Sequence, residues 1–236
     1  SNQFHPSVWD SFDKNEDYPV CVPRTPCPVL YGIRGETPHA VEEMAKKIKS
    51  ETPAHSALFI TNQGTDAHIQ PGKIESLEEG HSYSVDGTVS SKPYTIEGGH
   101  VFFKLKGASK EILCSAFEPT KQFRNYVRNL DCGDKLTAYG EVTHGTLKLE
   151  KFAVRNLVTT KTENPLCAIC NDRMKSSGRS QGYRCRKCGT KTSHKIQTPY
   201  FRDITLGWYE VPPCARRHLA KPLIRGGFDS ILHPEF

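Results

Sequence analysis

The sequence has no long apolar run, and this absence excludes several classes of protein. No stretch approaches the roughly 18 consecutive apolar residues that a membrane-spanning helix needs. The N-terminal residues also lack the basic flank and apolar stretch of a signal peptide. With 36% hydrophobic residues among 236, the chain can form modest cores rather than one large core. We therefore expect a cytoplasmic protein of two or three small domains with no membrane partner.

The cysteines indicate a metal site rather than a set of disulfides. Nine cysteines is an odd number in a chain with no export signal, which argues against a disulfide framework. Four of them form two CxxC pairs, Cys167 with Cys170 and Cys185 with Cys188. Four thiolates complete a tetrahedral Zn²⁺ site and leave no position for water. The spacing predicts structural zinc, with redox-active dithiols or an iron–sulfur site as alternatives, and it disfavours a zinc-dependent hydrolase.

Positive charge is concentrated towards the C-terminal end. Residues 1–150 hold 16 Lys and Arg against 20 Asp and Glu, whereas residues 151–236 hold 16 against 6. Cysteines and aromatic residues lie among these C-terminal cations, which favours a binding segment; a solvated lysine-rich tail is the alternative. The distribution favours a polyanion such as a nucleic acid, bound mainly through this end.

The patterning predicts an α+β chain with three parts. The pattern of residues 1–79 predicts a mixed α/β unit that could be incomplete at its N-terminal side, with strands over 28–35 and 57–61 on either side of a helix over 40–49. Residues 80–160 predict a small barrel, and residues 161–236 combine a zinc ribbon with a basic C-terminal tail. The predicted barrel has three strands over 83–89, 100–105 and 111–116, a helical segment over 117–130, and two strands over 135–140 and 146–152. This order is that of an oligonucleotide-binding (OB) fold; an SH3-like or other small barrel is the alternative.

Aromatic and cationic residues alternate in the predicted barrel. Phe102 and Lys104 lie on one strand, near His100, and stacking rings beside cations are typical of barrels that bind single-stranded nucleic acid. Phe102 and Phe103 point to opposite faces of that strand, so one of them belongs to the core. Lys121 and Arg124, at the start of the helical segment, could bind phosphate or form an exposed basic face.

Further candidate residues lie outside the barrel. The segment over 62–68 follows a predicted strand and concentrates polar side chains, a composition that fits either a ligand site or an ordinary turn. In the basic end, Arg and His residues lie near Trp and Tyr, which suits contact with phosphates or bases. The nucleic-acid candidates of this end are Arg186, Lys187, Arg216, Arg217 and His218.

Six motifs occur in the order found in one known family. They are PVLYGIRGE at 28–36, TNQGTDAH at 61–68, GGHV at 98–101, FEPT at 117–120, the two CxxC pairs, and RRHL at 216–219. With these motifs the chain resembles, over nearly its whole length, the archaeal tRNA-Ile agmatidine synthetases. In that family a kinase-like catalytic domain, a ferredoxin-like domain, an OB fold and a zinc ribbon use ATP to join agmatine to the wobble cytidine of an isoleucine tRNA, which then reads AUA.

The resemblance implies a first unit that is ferredoxin-like. It also implies agmatine and an isoleucine tRNA with a CAU anticodon as partners, structural Zn²⁺, and ATP with Mg²⁺ for the full-length enzyme. The residues implied to lie near agmatine or the anticodon are Arg34, Asn62, Gln63, Thr65, Asp66 and His68.

The sequence departs from the family pattern in one respect. It contains neither an acidic nucleotide-binding motif of the form GIDDTD nor a Walker-type loop. We therefore expect this chain to be the C-terminal, tRNA-binding portion of such a ligase. Its partner would be the missing N-terminal kinase-like domain, without which we expect the chain to be inactive. The alternative is an OB-fold and zinc-ribbon protein that binds single-stranded nucleic acid without catalysis.

Overall fold

A short helix and two small strands organise the N-terminal segment. Strand β1 (Val8–Trp9) pairs antiparallel with β2 (Arg34–Gly35), and helix α1 (Pro38–Lys47) follows. The Thr37 side chain caps the helix by accepting a hydrogen bond from the Ala40 amide, and Pro38 occupies the first turn. Ala40 and Met44 pack against Val8 in a small core. The predicted helix is therefore confirmed.

The structure is a computed structural model that describes residues 7–233. It divides into a larger unit, which extends to Leu157 and resumes at Ile204, and a smaller unit, Val158–Asp203. Within the described residues, no helix is long and apolar enough to cross a membrane.

The flanking strands predicted in the first unit are largely absent. Of the strand predicted over 28–35, only Arg34–Gly35 forms β structure, and no strand pairing in residues 7–233 involves residues 57–61. Phe59 and Ile60 are instead fully or nearly fully exposed. A strand requires a neighbouring strand for its backbone hydrogen bonds, and an apolar sequence alone does not supply one.

The predicted barrel is confirmed as a closed five-stranded OB-type barrel. The elements are β3 (Ile69–Pro71), β4 (Ser82–Val89), β5 (Tyr94–Thr95), β6 (Val101–Lys106), β7 (Glu111–Ala116), α2 (Phe123–Arg128), β8 (Lys135–Thr143) and β9 (Thr146–Asn156). Strand β4 pairs antiparallel with β8 and β6, β8 with β9, and β6 with β7, while β7 pairs parallel with β9 and so closes the ring. Helix α2 lies between the third and fourth barrel strands.

A β-bulge in β9 changes which side chains face the barrel core. Tyr139 on β8 pairs with Lys151, but the next residue, Gly140, pairs with Leu149, so Glu150 is an extra residue in β9. Residues 147 and 149 face the core before the bulge, and residues 152 and 154 face it afterwards. The bulge leaves Glu150 and Lys151 side by side and outside that core, yet buried.

The last described segment packs on the barrel. Strand β15 (Gly207–Glu210), which follows the smaller unit, pairs antiparallel with β9 over residues 151–154. Trp208 is buried with Ala153 and Leu223 in a second cluster. The predicted boundary grouped this segment with the ribbon because both are basic, whereas the structure joins it to the larger unit through these apolar contacts.

The smaller unit is built from short antiparallel strands. Strand β10 (Thr160–Glu163) pairs with β14 (Ile196–Pro199), and β12 (Tyr183–Arg184) pairs with both β11 (Lys175–Ser176) and β13 (Lys191–Thr192). Its described core consists of cysteines together with Met174 and Tyr183. Such a small apolar core requires an additional source of stability.

Candidate nucleic-acid interface and metal centre

The four CxxC cysteines form a compact cluster. The Sγ atoms of Cys167, Cys170, Cys185 and Cys188 all lie within 4.8 Å of one another. The two pairs share the same turn: the carbonyl of each first cysteine accepts a hydrogen bond from the amide four residues later, in Asn171 or Gly189. Asn171 and Gly189 both have positive φ, which aims the two thiolates of each pair at one point. Four sulfur donors in this arrangement fit structural Zn²⁺.

The smaller unit carries a large excess of positive charge. Residues 158–203 contain ten Lys and Arg against three Asp and Glu, so this unit holds +7 of formal charge in a chain whose total is +6. Arg186 is exposed beside the metal cluster, and Lys187 forms an ion pair with Asp172 at 2.9 Å. The Lys161 ammonium and the Arg202 guanidinium both lie against the Tyr200 ring, at 3.2 and 5.0 Å from its centroid. Cations beside an aromatic ring suit nucleic-acid contact.

Three aromatic rings form a ladder on the barrel. Phe102 stacks on Tyr94 with ring centroids 5.8 Å apart, and it lies edge-to-face with Phe117 at a centroid distance of 6.2 Å. Tyr94 is half-exposed, whereas Phe103, on the opposite face of β6, is fully buried in the core. His100 packs edge-on against Phe117 at 5.2 Å, and its Nδ1 accepts a hydrogen bond from the Glu118 amide. This aromatic ladder (Tyr94, Phe102 and Phe117) presents ring faces that can stack on bases.

The predicted cations of the barrel are dispersed. Lys104 lies 3.7 Å from Glu111, and Lys121 lies 3.3 Å from Glu16. The Arg124 guanidinium donates to the Gly99 carbonyl at 2.7 Å and approaches Glu118 at 3.4 Å. Arg124 is therefore largely engaged in holding the loop before β6, while Lys104 and Lys121 retain exposed ammonium groups.

Several residues from separate motifs of the larger unit meet in one cluster. Arg34 donates to the Gln63 side chain at 2.6 Å and contacts Nδ1 of His218 at 2.7 Å. The Gly64 amide donates to the His218 carbonyl, and the Thr65 amide donates to the Leu219 carbonyl. The sequence motifs at 28–36, 61–68 and 216–219 thus converge, although they are separated by up to 184 positions. The Asn62 side chain stays exposed, while its carbonyl accepts from the Thr65 hydroxyl.

Asp66 is held in a buried ion pair. Its carboxylate accepts from the Lys151 ammonium at 2.7 and 2.9 Å and from the Lys221 amide at 2.6 Å. The Lys151 side chain is 1% exposed, and burial lowers its pKa although Asp66 favours the charged form. The carboxylate of Asp66 is therefore occupied by β9 and the C-terminal segment.

His68 and Arg217 both contact the bulge residue Glu150. His68 Nε2 lies 2.9 Å from one Glu150 oxygen, and Arg217 donates to the other at 3.1 Å. Arg217 also lies 3.3 Å from Glu141, and its own side chain is 43% exposed. The Glu150 side chain is only 6% exposed, and its carboxylate is held there by the Arg217 guanidinium and by the hydrogen bond with His68.

Arg216 lies between two buried carboxyl groups. It contacts Glu210 at 2.8 Å and makes a close ion pair with Asp10. Burial raises the pKa of Asp10, and it raises the pKa of Glu210 to about 7 despite the nearby Arg216 and Lys151 charges. Burial disfavours the charged form of both carboxyl groups, and one guanidinium shared between them does not offset this, so both pKa values are raised.

The structure reveals contributors that sequence reasoning missed. In the sequence, Lys151, Glu150, Glu141 and Glu210 look like ordinary strand residues. A signal exists for two of them, because adjacent Glu150 and Lys151 interrupt an otherwise alternating apolar strand, which is typical of a bulge. Arg225, which binds the Glu36 carboxylate at 2.7 Å and thereby lowers the Glu36 pKa, gives no sequence signal.

Comparisons with known proteins agree with this architecture. A family model described as the TiaS FLD domain matches residues 1–68, and one described as the TiaS C-terminal zinc ribbon domain matches residues 164–204. The isoleucine-tRNA 2-agmatinylcytidine synthetases TiaS of Methanosarcina acetivorans and Haloquadratum walsbyi are 50% and 47% identical to the chain, over 98% of its length in each case. This chain belongs to the TiaS family.

Solved TiaS structures share the fold. The crystal structure of TiaS in complex with its isoleucine tRNA and ATP superposes with a TM-score of 0.86 at 43% identity, and the complex with the tRNA, AMPCPP and agmatine superposes with 0.83 at 40%. Each match covers 98% of this chain and 55% of the solved chain. The chain spans about half the length of the curated TiaS relatives it matches, 58% for the Haloquadratum protein and 55% for the Methanosarcina protein. The resemblance seen in the sequence is confirmed.

The metal assignment predicts the effect of removing one thiolate. Cys185→Ser should reduce bound zinc from about one equivalent to nearly none and unfold the smaller unit, because structural zinc supplies much of the folding energy of such units. Zinc content and protease sensitivity of residues 158–203 are the measurements. Cys132→Ser, at an exposed cysteine outside the cluster, is the matched control and should keep its zinc. Full zinc retention by the Cys185 variant would contradict the assignment.

The buried carboxyl of Glu210 predicts a pH dependence of stability. An unfolded glutamate loses its proton near pH 4.5, whereas folded Glu210 keeps it until about pH 7. The stabilising effect of this proton is therefore complete below about pH 4.5 and is lost as the pH rises through 7. Glu210→Gln, which stays neutral, should gain in free energy of unfolding relative to the unaltered chain by a few kcal/mol between these pH values.

Urea unfolding across this pH range measures that difference. Glu51→Gln, at an exposed position of the N-terminal segment, is the matched control. A Glu210→Gln effect of constant size at every pH would refute the assignment of the proton to this site.

Proposed function

We propose that this chain is the tRNA-binding part of an ATP-dependent ligase. The ligase joins agmatine to the wobble cytidine of an isoleucine tRNA with a CAU anticodon. The observation that carries the proposal is similarity over 98% of the chain to synthetases named for that product, at 47–50% identity. A solved relative in complex with its isoleucine tRNA, AMPCPP and agmatine supports the same substrates. The resulting agmatidine would pair with adenine and allow the tRNA to read AUA.

ATP and Mg²⁺ belong, in this proposal, to the portion of the relatives that has no counterpart in the chain. The sequence contains no acidic nucleotide-binding motif of the expected form and no Walker-type loop. Phosphoryl transfer depends on groups that hold Mg²⁺ and the nucleotide phosphates, and acidic ligands are part of that set. We therefore infer that residues 1–236 alone do not catalyse the ligation, and that the enzyme acts in the cytoplasm, where tRNA is modified.

The two units would contribute differently to tRNA binding. The smaller unit, with +7 of formal charge in 46 residues, supplies attraction to phosphates, and Arg186 and Lys187 lie beside its metal cluster. The larger unit supplies the aromatic ladder, with His100 and Lys104 nearby, for unpaired bases. Among the basic C-terminal candidates, Arg217 and His218 keep accessible surface, whereas Arg216 is 4% exposed and acts by holding Asp10 and Glu210.

The segment over 61–68 remains the candidate for contact with agmatine or the anticodon. The exposed Asn62 and Thr65 and the partly exposed Arg34 and Gln63 could reach a substrate. Asp66 and His68 are engaged by Lys151 and Glu150, which supports a positioning role for these two.

Reconstitution of the ligase tests the proposal directly. The chain should form agmatidine on tRNA-Ile only when combined with ATP, Mg²⁺, agmatine and the N-terminal portion of the Methanosarcina acetivorans relative that the chain does not match. Mass spectrometry of the tRNA nucleosides measures the product. The chain alone and the N-terminal portion alone are the controls. Agmatidine formation by the chain alone would overturn the assignment of catalysis to the other portion.

Binding experiments separate this proposal from a single-stranded nucleic-acid-binding protein. Folded tRNA should compete better than oligo-dT of equal length, and tRNA affinity should fall about 1000-fold between about 50 and about 200 mM salt if six phosphates are contacted. The double variant Arg186→Gln and Lys191→Gln should reduce the slope of log affinity against log salt concentration by about 2. The control is the double variant Lys46→Gln and Lys49→Gln, which removes the same number of positive charges at the end of α1 and just after it. Stronger competition by oligo-dT would favour the alternative.

A further inference from the structure

Three consecutive residues of the C-terminal segment, 216–218, contact three different parts of the larger unit. The first makes a close ion pair with Asp10, which follows β1; the second donates to Glu150 in β9; and the third contacts Arg34 in β2. Only the first of the three is withdrawn from solvent, since the Arg216 side chain is 4% exposed. Arg216 therefore cannot meet a substrate directly, and its role lies in what it holds.

Asp10 is attached to the strand pair that carries Arg34. It follows Trp9, which faces Arg34 in the two-residue ladder of β1 and β2. A ladder this short is not stable by itself, so its position depends on the contacts at its ends. The ion pair between Arg216 and Asp10 is such a contact, and both of its side chains are at most 10% exposed.

Arg34 is the centre of a motif surface (Arg34, Gln63 and His218). Its guanidinium donates to the Gln63 side chain at 2.6 Å and contacts Nδ1 of His218 at 2.7 Å. Because an arginine side chain can only donate, Nδ1 is the acceptor, and the neutral ring carries its proton on Nε2. The tautomer of His218 therefore records whether Arg34 is in place.

Trp9 links the same strand pair to the segment over 61–68. Its side chain is buried, and the Arg225 guanidinium lies 4.3 Å from its ring centroid. Gly64 approaches so closely that an added Cβ would lie 3.1 Å from Nε1 of Trp9. A displacement of β1 would therefore disturb the polar segment as well as Arg34.

The ion pair of Arg216 belongs to a buried cluster with more acidic than basic groups. Arg216 contacts Asp10 and Glu210, and in the same cluster Lys151 pairs with Asp66. These five side chains are 1–15% exposed, so three carboxyl groups share two cations away from solvent. The charges balance when one carboxyl keeps its proton. Glu210, which is 3% exposed and has its pKa raised by burial to about 7, is that carboxyl.

An ionised Glu210 would compete with Asp10 for the same guanidinium. Nη1 of Arg216 contacts Asp10, whereas Nη2 contacts Glu210 at 2.8 Å and donates to the Val211 carbonyl. A second carboxylate charge attracts the guanidinium towards β15 and repels Asp10. The other ionisable groups of the cluster and its surroundings are Lys151 on β9, Asp66 before β3, Asp13 after β1 and Arg34 on β2.

We propose that Arg216 is a positioning residue, which holds the motif surface in the geometry that a substrate meets by binding Asp10, and that it does so while Glu210 is protonated. The proposal rests on the function proposed above, since it gives the motif surface a part in the ligation reaction. Its structural part can be measured in the chain alone, without any substrate.

The tautomer of His218 tests the structural part. At about pH 8, where ordinary histidine rings are neutral, ¹⁵N chemical shifts distinguish the two tautomers, and His218→Gln assigns the signal. The Glu210→Gln chain, which imitates the protonated state, should hold the His218 ring almost entirely with its proton on Nε2. The unaltered chain, in which Glu210 is ionised at this pH, should show both tautomers.

A second substitution assigns the effect to the ion pair. Adding Asp10→Asn to Glu210→Gln should bring back both tautomers, because it removes the charge that Arg216 holds. Adding Asp17→Asn instead, at an exposed carboxyl of the same segment, is the matched control and should leave one tautomer. Thermal unfolding verifies that each variant is folded. A single tautomer in the chain with Asp10→Asn would overturn the proposal, as would two tautomers in the Glu210→Gln chain.

Reconstituted ligation tests the positioning role. The kcat/KM for agmatine is compared between Glu210→Gln and the unaltered chain, each combined with the N-terminal portion, ATP, Mg²⁺ and tRNA. The ratio should be close to unity at about pH 6, where both side chains are neutral. It should rise about fivefold by about pH 8, a coupling at the lower end of those between linked sites. Asp10→Asn should lower kcat/KM about tenfold at the lower pH, because the substrate then meets a displaced surface.

The outcomes separate this proposal from the proposed function. Glu51→Gln is the control and should give the same kcat/KM as the unaltered chain at both pH values. A Glu210→Gln ratio that does not change with pH would refute the positioning role alone, since a merely structural role gives no pH-dependent difference between folded chains. Failure of the unaltered chain to form agmatidine would refute the proposed function, and the tautomer experiment would then decide the structural part by itself.

Discussion

The larger unit depends on the buried charges that the bulge in β9 places outside the barrel core. Lys151 holds Asp66 from the N-terminal segment and the Lys221 carbonyl from the C-terminal segment, so one ammonium joins three distant parts of the chain. Beside it, Glu150 holds His68 and Arg217. Removing one partner of such a buried pair leaves an uncompensated charge, which typically costs about 3–5 kcal/mol. These pairs therefore fix the geometry of the segments that carry the family motifs.

This arrangement gives the motif residues a double role. Arg34 binds both Gln63 and His218, and Asp66 and His68 bind the barrel, so much of their polar capacity is used within the protein. A substrate would meet a surface whose side chains are already oriented by these contacts. Preorganisation of this kind lowers the entropy that a ligand must lose on binding. It also explains why sequence alone could not separate a ligand site from an ordinary turn at 62–68.

The sequence predicted local features better than their assembly. The barrel strands, α1 and the metal cluster followed from alternation, capping and cysteine spacing, each of which acts over a few residues. The strand predicted over 57–61 failed because β structure depends on a neighbour that the pattern does not reveal. The position of β15 on the barrel depends on Trp208 meeting Ala153, a contact between residues 55 positions apart. The Arg34 to His218 contact is likewise set by tertiary packing, so only the family resemblance linked these motifs beforehand.

The extra residue Glu150 also sets which face the next four residues of β9, 151–154, present to the barrel core. Deleting Glu150 would restore alternation at this point and turn Phe152 and Val154 away from the barrel core, towards the cluster of Trp208 and Leu223, while Ala153 would face the barrel interior. Deletion of this one residue would thus reverse which side chains face the barrel core in the second half of β9. Glu150 therefore has two roles. As an extra residue it shifts the alternation of β9, and as a carboxylate it holds His68 and Arg217 from two other segments.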